Sequence, residues 1–137
     1  MLDHLSLGVA DLERAAALYD AALAALGHVR LATSPRAVCY GPPGFTGEAP
    51  FAILLRTRDT PPGGADRSAP GEGFHLAFRA SSRAGVDAFH AAALAHGGSD
   101  EGPPGIRAHY GPHYYAAFVR DVDGHRLEAV CHESVTP

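Results

Sequence analysis

An internal repeat constrains this chain more than any other feature. The run "HLSLGVADLERAAALYDAALAALGH" lies without a gap over "HLAFRASSRAGVDAFHAAALAHGGS", offset by 71 residues. His4 falls on His75, Leu5 on Leu76, Asp11 on Ser82, Leu18 on Phe89 and Leu23 on Leu94. Two copies of one unit mean that each half must adopt the same supersecondary structure, and that a unit of this size gains core by packing on another.

Each copy reads as an alternating strand, a capping residue and an amphipathic helix. In the first helix Ala15, Leu18, Tyr19, Ala22, Leu23 and Leu26 share a face at three- and four-residue spacing. Asp11 is its expected N-cap and Gly27 its stop. In the second, Ser81 or Ser82 caps, Val86, Phe89, Ala93 and Leu94 pack, and Gly97-Gly98 ends the helix. Further strands are predicted near Val29–Thr33, Arg36–Tyr40 and Pro50–Arg56, and near Ile106–Tyr110, Tyr114–Arg120 and His125–His132. The Pro/Gly-rich segment "TRDTPPGGADRSAPGEG" separates the halves. The plan is β-α-β-β-β twice: one α+β domain over residues 1–137, with modules at about 1–58 and 73–137 and a linker at about 59–72.

Composition narrows the function classes. A formal net charge of -4 offers no basic surface for nucleic acid or an anionic membrane. No apolar run approaches the roughly 18 residues of a membrane-spanning helix, and "MLDHLSLGVADLE" does not read as a secretory signal. Cys39 and Cys131 are too few for a disulfide framework. A cytoplasmic protein is the expectation. Nine histidines in 137 residues are many, so their placement carries weight.

Strand alternation sorts the polar residues. Leu5, Leu7 and Val9 share one face of the first strand; Leu2, His4, Ser6 and Gly8 share the other. In the repeat, Phe74, Leu76 and Phe78 oppose His75, Ala77 and Arg79. The bulky faces suit the helices. On the last strand Arg126, Glu128, Val130 and His132 lie together, and a lone buried carboxylate there costs several kcal/mol unless it is paired. Taken singly, each of these residues has an ordinary structural explanation. Two histidines at matching repeat positions, with a carboxylate able to join them, point instead to a divalent metal site. Such a set with open positions suits Fe(II) first, with Mn(II), Co(II), Ni(II) or Zn(II) also able to bind.

The stretches "LDHLSLGVADLERAAALYDAAL", "GFHLAF" and "AFVRDVDGHRLEAV" resemble the vicinal oxygen chelate superfamily of glyoxalase I, bleomycin-resistance proteins, extradiol dioxygenases and fosfomycin-resistance enzymes. The resemblance covers nearly the whole chain. It implies a strongly curved mixed sheet of two half-barrels around a metal-containing cavity, with helices outside. It also implies that His4, His75 and Glu128 stand at three metal-ligand positions.

Departures from the pattern matter as much. Val122 replaces the family's proline. The run "PFAILLR" lacks the carboxylate or amide that four-ligand members carry, which disfavours glyoxalase I. Phe118 stands where extradiol enzymes place a catalytic Tyr, ten residues before the Glu. Ser6 matches the hydroxyl that fosfomycin enzymes carry two residues after the first His, but the chain ends in "HESVTP", without their cationic pocket. In "GIRAHYGPHYYAAF", alternation puts Tyr114 on the face of Phe118, so Tyr114 is the catalytic candidate, able to donate to an oxyanion or transfer a proton. Ser6, Arg79, Arg107, His113 and Phe118 are the substrate-binding candidates. His28, His90, His96 and His125 read as solvated residues of turns and helix surfaces.

The expected function is a metal-dependent enzyme, dioxygenase- or lyase-like, on a small substrate that chelates through adjacent oxygens. The rivals are a metal-free drug- or metabolite-binding protein and a fosfomycin-type thiol transferase. Exposed strand edges predict a homodimer.

Overall fold

The computed structural model describes residues 2–47, 52–56 by backbone course, and 69–134. The strand order is β1 (Leu5–Val9), α1 (Leu12–Ala24), β2 (Val29–Thr33), β3 (Ala37–Gly41) and β4 (Ala52–Arg56). The second module then repeats it with β5 (Leu76–Arg79), α2 (Arg83–Ala95), β6 (Ser99–Ile106), β7 (Tyr115–Arg120) and β8 (Arg126–Cys131). Each module forms a four-stranded mixed sheet, β1-β4-β3-β2 and β5-β8-β7-β6. In both, the first and last strands pair in parallel and the others antiparallel. The predicted β-α-β-β-β plan is what is observed. Most of the predicted linker, and Pro50 and Phe51 of the predicted third strand, lie outside the described residues.

The helix ends repeat as closely as the helices do. Asp11 accepts from the Arg14 amide at 3.0 Å, and Ser82 from the Gly85 amide at 3.1 Å. At the other ends, the His28 amide reaches back to the Leu23 carbonyl and the Gly98 amide to that of Ala93. Both closures turn on a left-handed glycine, Gly27 at φ +82° and Gly97 at φ +95°. α1 buries Ala15, Leu18, Tyr19, Ala22 and Leu23 as expected. α2 buries Val86, Phe89 and Ala93, but Leu94 is 39% exposed because it lies beyond the edge of that face.

The two helices pack on each other, each covering the apolar face of its own sheet, in one core that runs from Leu7, Val38 and Tyr40 to Phe78, Val119 and Leu127. The turn between β7 and β8 joins the modules. The buried Tyr19 hydroxyl donates to Asp121 at 2.6 Å, and the Ala10 amide donates to Asp123 at 2.9 Å. Asp121 also accepts from the backbone amides of Asp123 and His125. His125, expected to be solvated, is instead 2% exposed and donates from Nε2 to the Gly8 carbonyl at 2.7 Å. Its burial depends on the other module, which local patterning does not reveal. His90 likewise has a partner, Asp100, at 2.9 Å.

One strand differs from expectation. "SDEGPPGI" forms β6, and residues 107–114 form the connection, where a strand was predicted over Ile106–Tyr110. β6 is an edge strand, and its register breaks between Gly102 and Gly105, so Pro103 and Pro104 owe no ladder hydrogen bonds. Among the described residues, no helix is long and apolar enough to cross a membrane.

Candidate functional site

The sheet face opposite the helices carries the chemistry of the second module. β8 places Glu128 in register between Ala77 of β5 and Phe118 of β7, with Gly102 of β6 next in the row. The alternate residues Leu127 and Ala129 point into the core. Glu128 is nonetheless only 1% exposed, so both of its oxygens need partners. They have them. His75 brings Nε2 to 2.9 Å from one oxygen, and the Tyr114 hydroxyl donates to the other at 2.6 Å.

The surrounding rings hold these groups in place. His75 meets the Phe118 ring edge-on with centroids 5.8 Å apart, and Tyr114 lies between Tyr110 at 5.0 Å and His132 at 5.1 Å. Burial pushes the Tyr114 phenol up to about 12, helped by the hydrogen bond to Glu128 and by its charge. Tyr114 therefore keeps its proton across the physiological range and remains a donor.

The donor set fits a divalent cation in part. Two ligands at adjacent positions on one ion, with bonds of about 2.1 Å, lie roughly 3 Å apart; the observed 2.9 Å between His75 and Glu128 matches this, and equally a charge-assisted hydrogen bond. Imidazole nitrogen plus carboxylate oxygen suits Fe(II), Mn(II) or Zn(II). The third expected ligand is elsewhere. His4 sits at the head of β1 on the other sheet, 45% exposed, with Nδ1 2.7 Å from Asp3. No group of three or more His, Cys, Asp or Glu side chains able to hold a metal occurs among the described residues. Of the three residues expected as ligands, His75 and Glu128 lie together within the chain and His4 lies apart from them.

A cavity of about 340 Å³ opens beside the His75 side of this pair, lined by His75, Phe118, Arg107, His109, Tyr110 and Arg126, among others. A larger hollow of about 440 Å³ lies against α1 and the β2–β3 hairpin, away from Glu128. Of the substrate-binding candidates, Arg107 and Phe118 line the smaller cavity. Arg79 is exposed on β5, on the face of Ala77, while Ser6 is exposed on β1 of the other sheet and His113 in the turn before β7; none of the three lines the cavity. Glu101, Tyr110 and Arg126 line it without having been singled out. Arg126 carried a signal, since alternation puts it on the face of Glu128. Glu101 carried none, because its segment reads as a loop.

The Glyoxalase/Bleomycin resistance protein/Dioxygenase superfamily model matches residues 1–129. The chain belongs to this superfamily. It is 34% identical to a glyoxalase/bleomycin resistance protein from Albidiferax ferrireducens T118, over 96% of this chain and 98% of that one, with a TM-score of 0.71. A glyoxalase-related enzyme from Fulvimarina pelagi shares the fold at a TM-score of 0.69, with 23% identity over 96% of this chain and 87% of that one. So does a fosfomycin resistance protein from Listeria monocytogenes, complexed with Mn(II) and 1S,2S-dihydroxypropylphosphonic acid. Its TM-score is 0.65, with 17% identity over 98% of this chain and 91% of that one. No curated protein matches the sequence.

Proposed function

We propose that this superfamily member is a metal-dependent enzyme acting on a small substrate that chelates through two adjacent oxygens. The observation that carries the reading is Glu128, a fully buried carboxylate held against His75 beside a cavity. His75 and Glu128 would hold the ion, Fe(II) first, with Mn(II) next because the Listeria relative is complexed with it. His4 is the third ligand in this reading. Its place on the other sheet, apart from His75 and Glu128, supports its supply by a second copy of the chain, in a homodimer with two shared sites.

A bound ion supplies positive charge that polarises a substrate oxygen. The rest of the work falls to this chain's side chains. Tyr114, protonated and bonded to Glu128, would act by turning its hydroxyl from Glu128 to an oxyanion developing on the substrate, or by passing it the proton. Phe118 offers an apolar wall and no proton, in contrast to a Tyr at that position. Glyoxalase I activity is disfavoured because β4, Ala52–Arg56, contains no carboxylate or amide residue.

A second reading, a metal-free binding protein, is favoured by one fact: both oxygens of Glu128 are hydrogen-bonded by protein side chains. Mixed dimers separate these possibilities. His4→Ala and Glu128→Ala chains, each expected to bind no metal alone, are combined and the heterodimer is analysed for metal. One ion per heterodimer is the expected result, since one of the two shared sites is then intact. None in the heterodimer but one per chain in the wild type would place all ligands in one chain. None in the wild type supports the metal-free reading.

A further inference from the structure

The cavity beside His75 contains an arginine whose position is built and whose charge is not neutralised by any carboxylate among the described residues. Arg107 follows the segment "GPPG" and curls back over it, and its guanidinium Nη2 donates to the Pro103 carbonyl at 2.6 Å. A Cβ added to Gly102 would stand 3.2 Å from one guanidinium nitrogen, and one added to Gly105 would stand 3.1 Å from another. At either position a side chain would push the guanidinium back by a few tenths of an ångström, so the two glycines form the bed on which it lies. The guanidinium carbon also lies 5.6 Å from the centroid of the Phe118 ring. Bed, carbonyl and ring together hold the cation in place.

No carboxylate among the described residues forms an ion pair with Arg107. The other arginines of this sheet differ. Arg120 donates to Glu101 at 2.7 Å, and Arg126 lies 3.8 Å from the same carboxylate. Glu101 is therefore shared by two arginines, and Arg126 has donor capacity left. The cavity wall carries two guanidinium groups against one carboxylate already engaged by Arg120. A held, unneutralised guanidinium facing a cavity presents a planar fork of donors, which matches a carboxylate. The remaining wall is flat and aromatic, with the Phe118 ring between His75 and Arg107, and the His109 and Tyr110 rings 4.1 Å apart beyond it.

We propose that Arg107, assisted by Arg126, forms an anion subsite that selects substrates with a carboxylate on a flat unsaturated skeleton, their adjacent oxygens directed at His75 and Glu128. The second half of this statement rests on the functional reading above; the subsite itself does not. Gly102 and Gly105 act as positioning residues for the guanidinium.

The test compares two probes of nearly equal shape, 3,4-dihydroxybenzoate and the neutral 3,4-dihydroxybenzamide, by calorimetry on the full chain, with Mn(II) and after its removal. A charge-assisted pair predicts that the wild type prefers the benzoate by about tenfold or more. Arg107→Gln should remove that preference, bringing the benzoate affinity down to that of the benzamide while the metal content is kept. Arg107→Lys, which keeps the charge but loses the fork, should retain part of the preference, and Gly105→Ala should lower it by displacing the guanidinium. Equal affinities for the two probes in the wild type, or an undiminished preference in a folded Arg107→Gln protein, would overturn the proposal. Wild-type protein that takes up no metal yet prefers the benzoate through Arg107 would remove the metalloenzyme reading and leave the anion subsite standing.

Discussion

Glu128→Gln is the most informative single change, because it alters charge while keeping shape. In the wild type the carboxylate is 1% exposed and accepts at both oxygens. A Gln carbonyl still accepts from Tyr114, and its amide can donate to the His75 nitrogen in the other tautomer, so both contacts persist as neutral bonds. A charge-assisted bond is about twice as strong as a neutral one, which costs about 1–2 kcal/mol over the pair. Relief from burying a carboxylate offsets a similar or larger amount. The metal-free variant should therefore match the wild type within about 1 kcal/mol, with a tendency to be more stable. Metal separates the two proteins. An ion present at about 100 times its Kd stabilises a folded site by about 2.7 kcal/mol. For a domain of this size that is a rise in Tm of roughly 10 °C. Thermal unfolding with chelator and with Fe(II) or Mn(II) should show the rise in wild type and less than about 2 °C in the variant, on the same scale. A Gln variant with the full metal-induced rise, or a wild type with none, would rule out Glu128 as a metal ligand.

Other consequences follow from individual contacts. Tyr114→Phe leaves one buried Glu128 oxygen without its donor and should lower stability by about 1–2 kcal/mol, measured by urea unfolding, while metal content is kept. Burial, and then Asp121, hold the Tyr19 phenol well above its ordinary value of 10.0. Because the folded value exceeds the unfolded one, this contribution is complete below about pH 10 and is lost as pH rises further. Tyr19→Phe should flatten the decline of Tm above about pH 10, in which Tyr40 also takes part; an identical slope would count against the Tyr19–Asp121 bond. Gly27→Ala places a side chain at φ +82° with no clashing atom within 4 Å, so its cost of about 1 kcal/mol in denaturant unfolding is a backbone cost alone.

What the linear sequence determined here is local and periodic. Asp11 and Ser82 cap because a short polar side chain can reach an amide three residues on. Gly27 and Gly97 end the helices because each copy needs a left-handed residue there. Alternation put Tyr114 on the face of Phe118 and Glu128 on the face of Arg126; the pairing of β7 with β8 sets Phe118 beside Glu128, and hydrogen bonding brings Tyr114 onto it. Tertiary structure decided whatever depends on a neighbour distant in the chain. A run with two prolines could become strand β6 only because it lies on an edge, where missing amides leave no gap in a ladder. His125 is buried because Gly8 of the other module lies over it. Arg107 turns inward because two glycines and the Phe118 ring leave it a place. The repeat sets His4 and His75 at equivalent positions of equivalent strands, but equivalence within a module says nothing about how the modules are oriented. Packing of α1 on α2 separates the two histidines within the chain, and that packing depends on surfaces that no local pattern encodes.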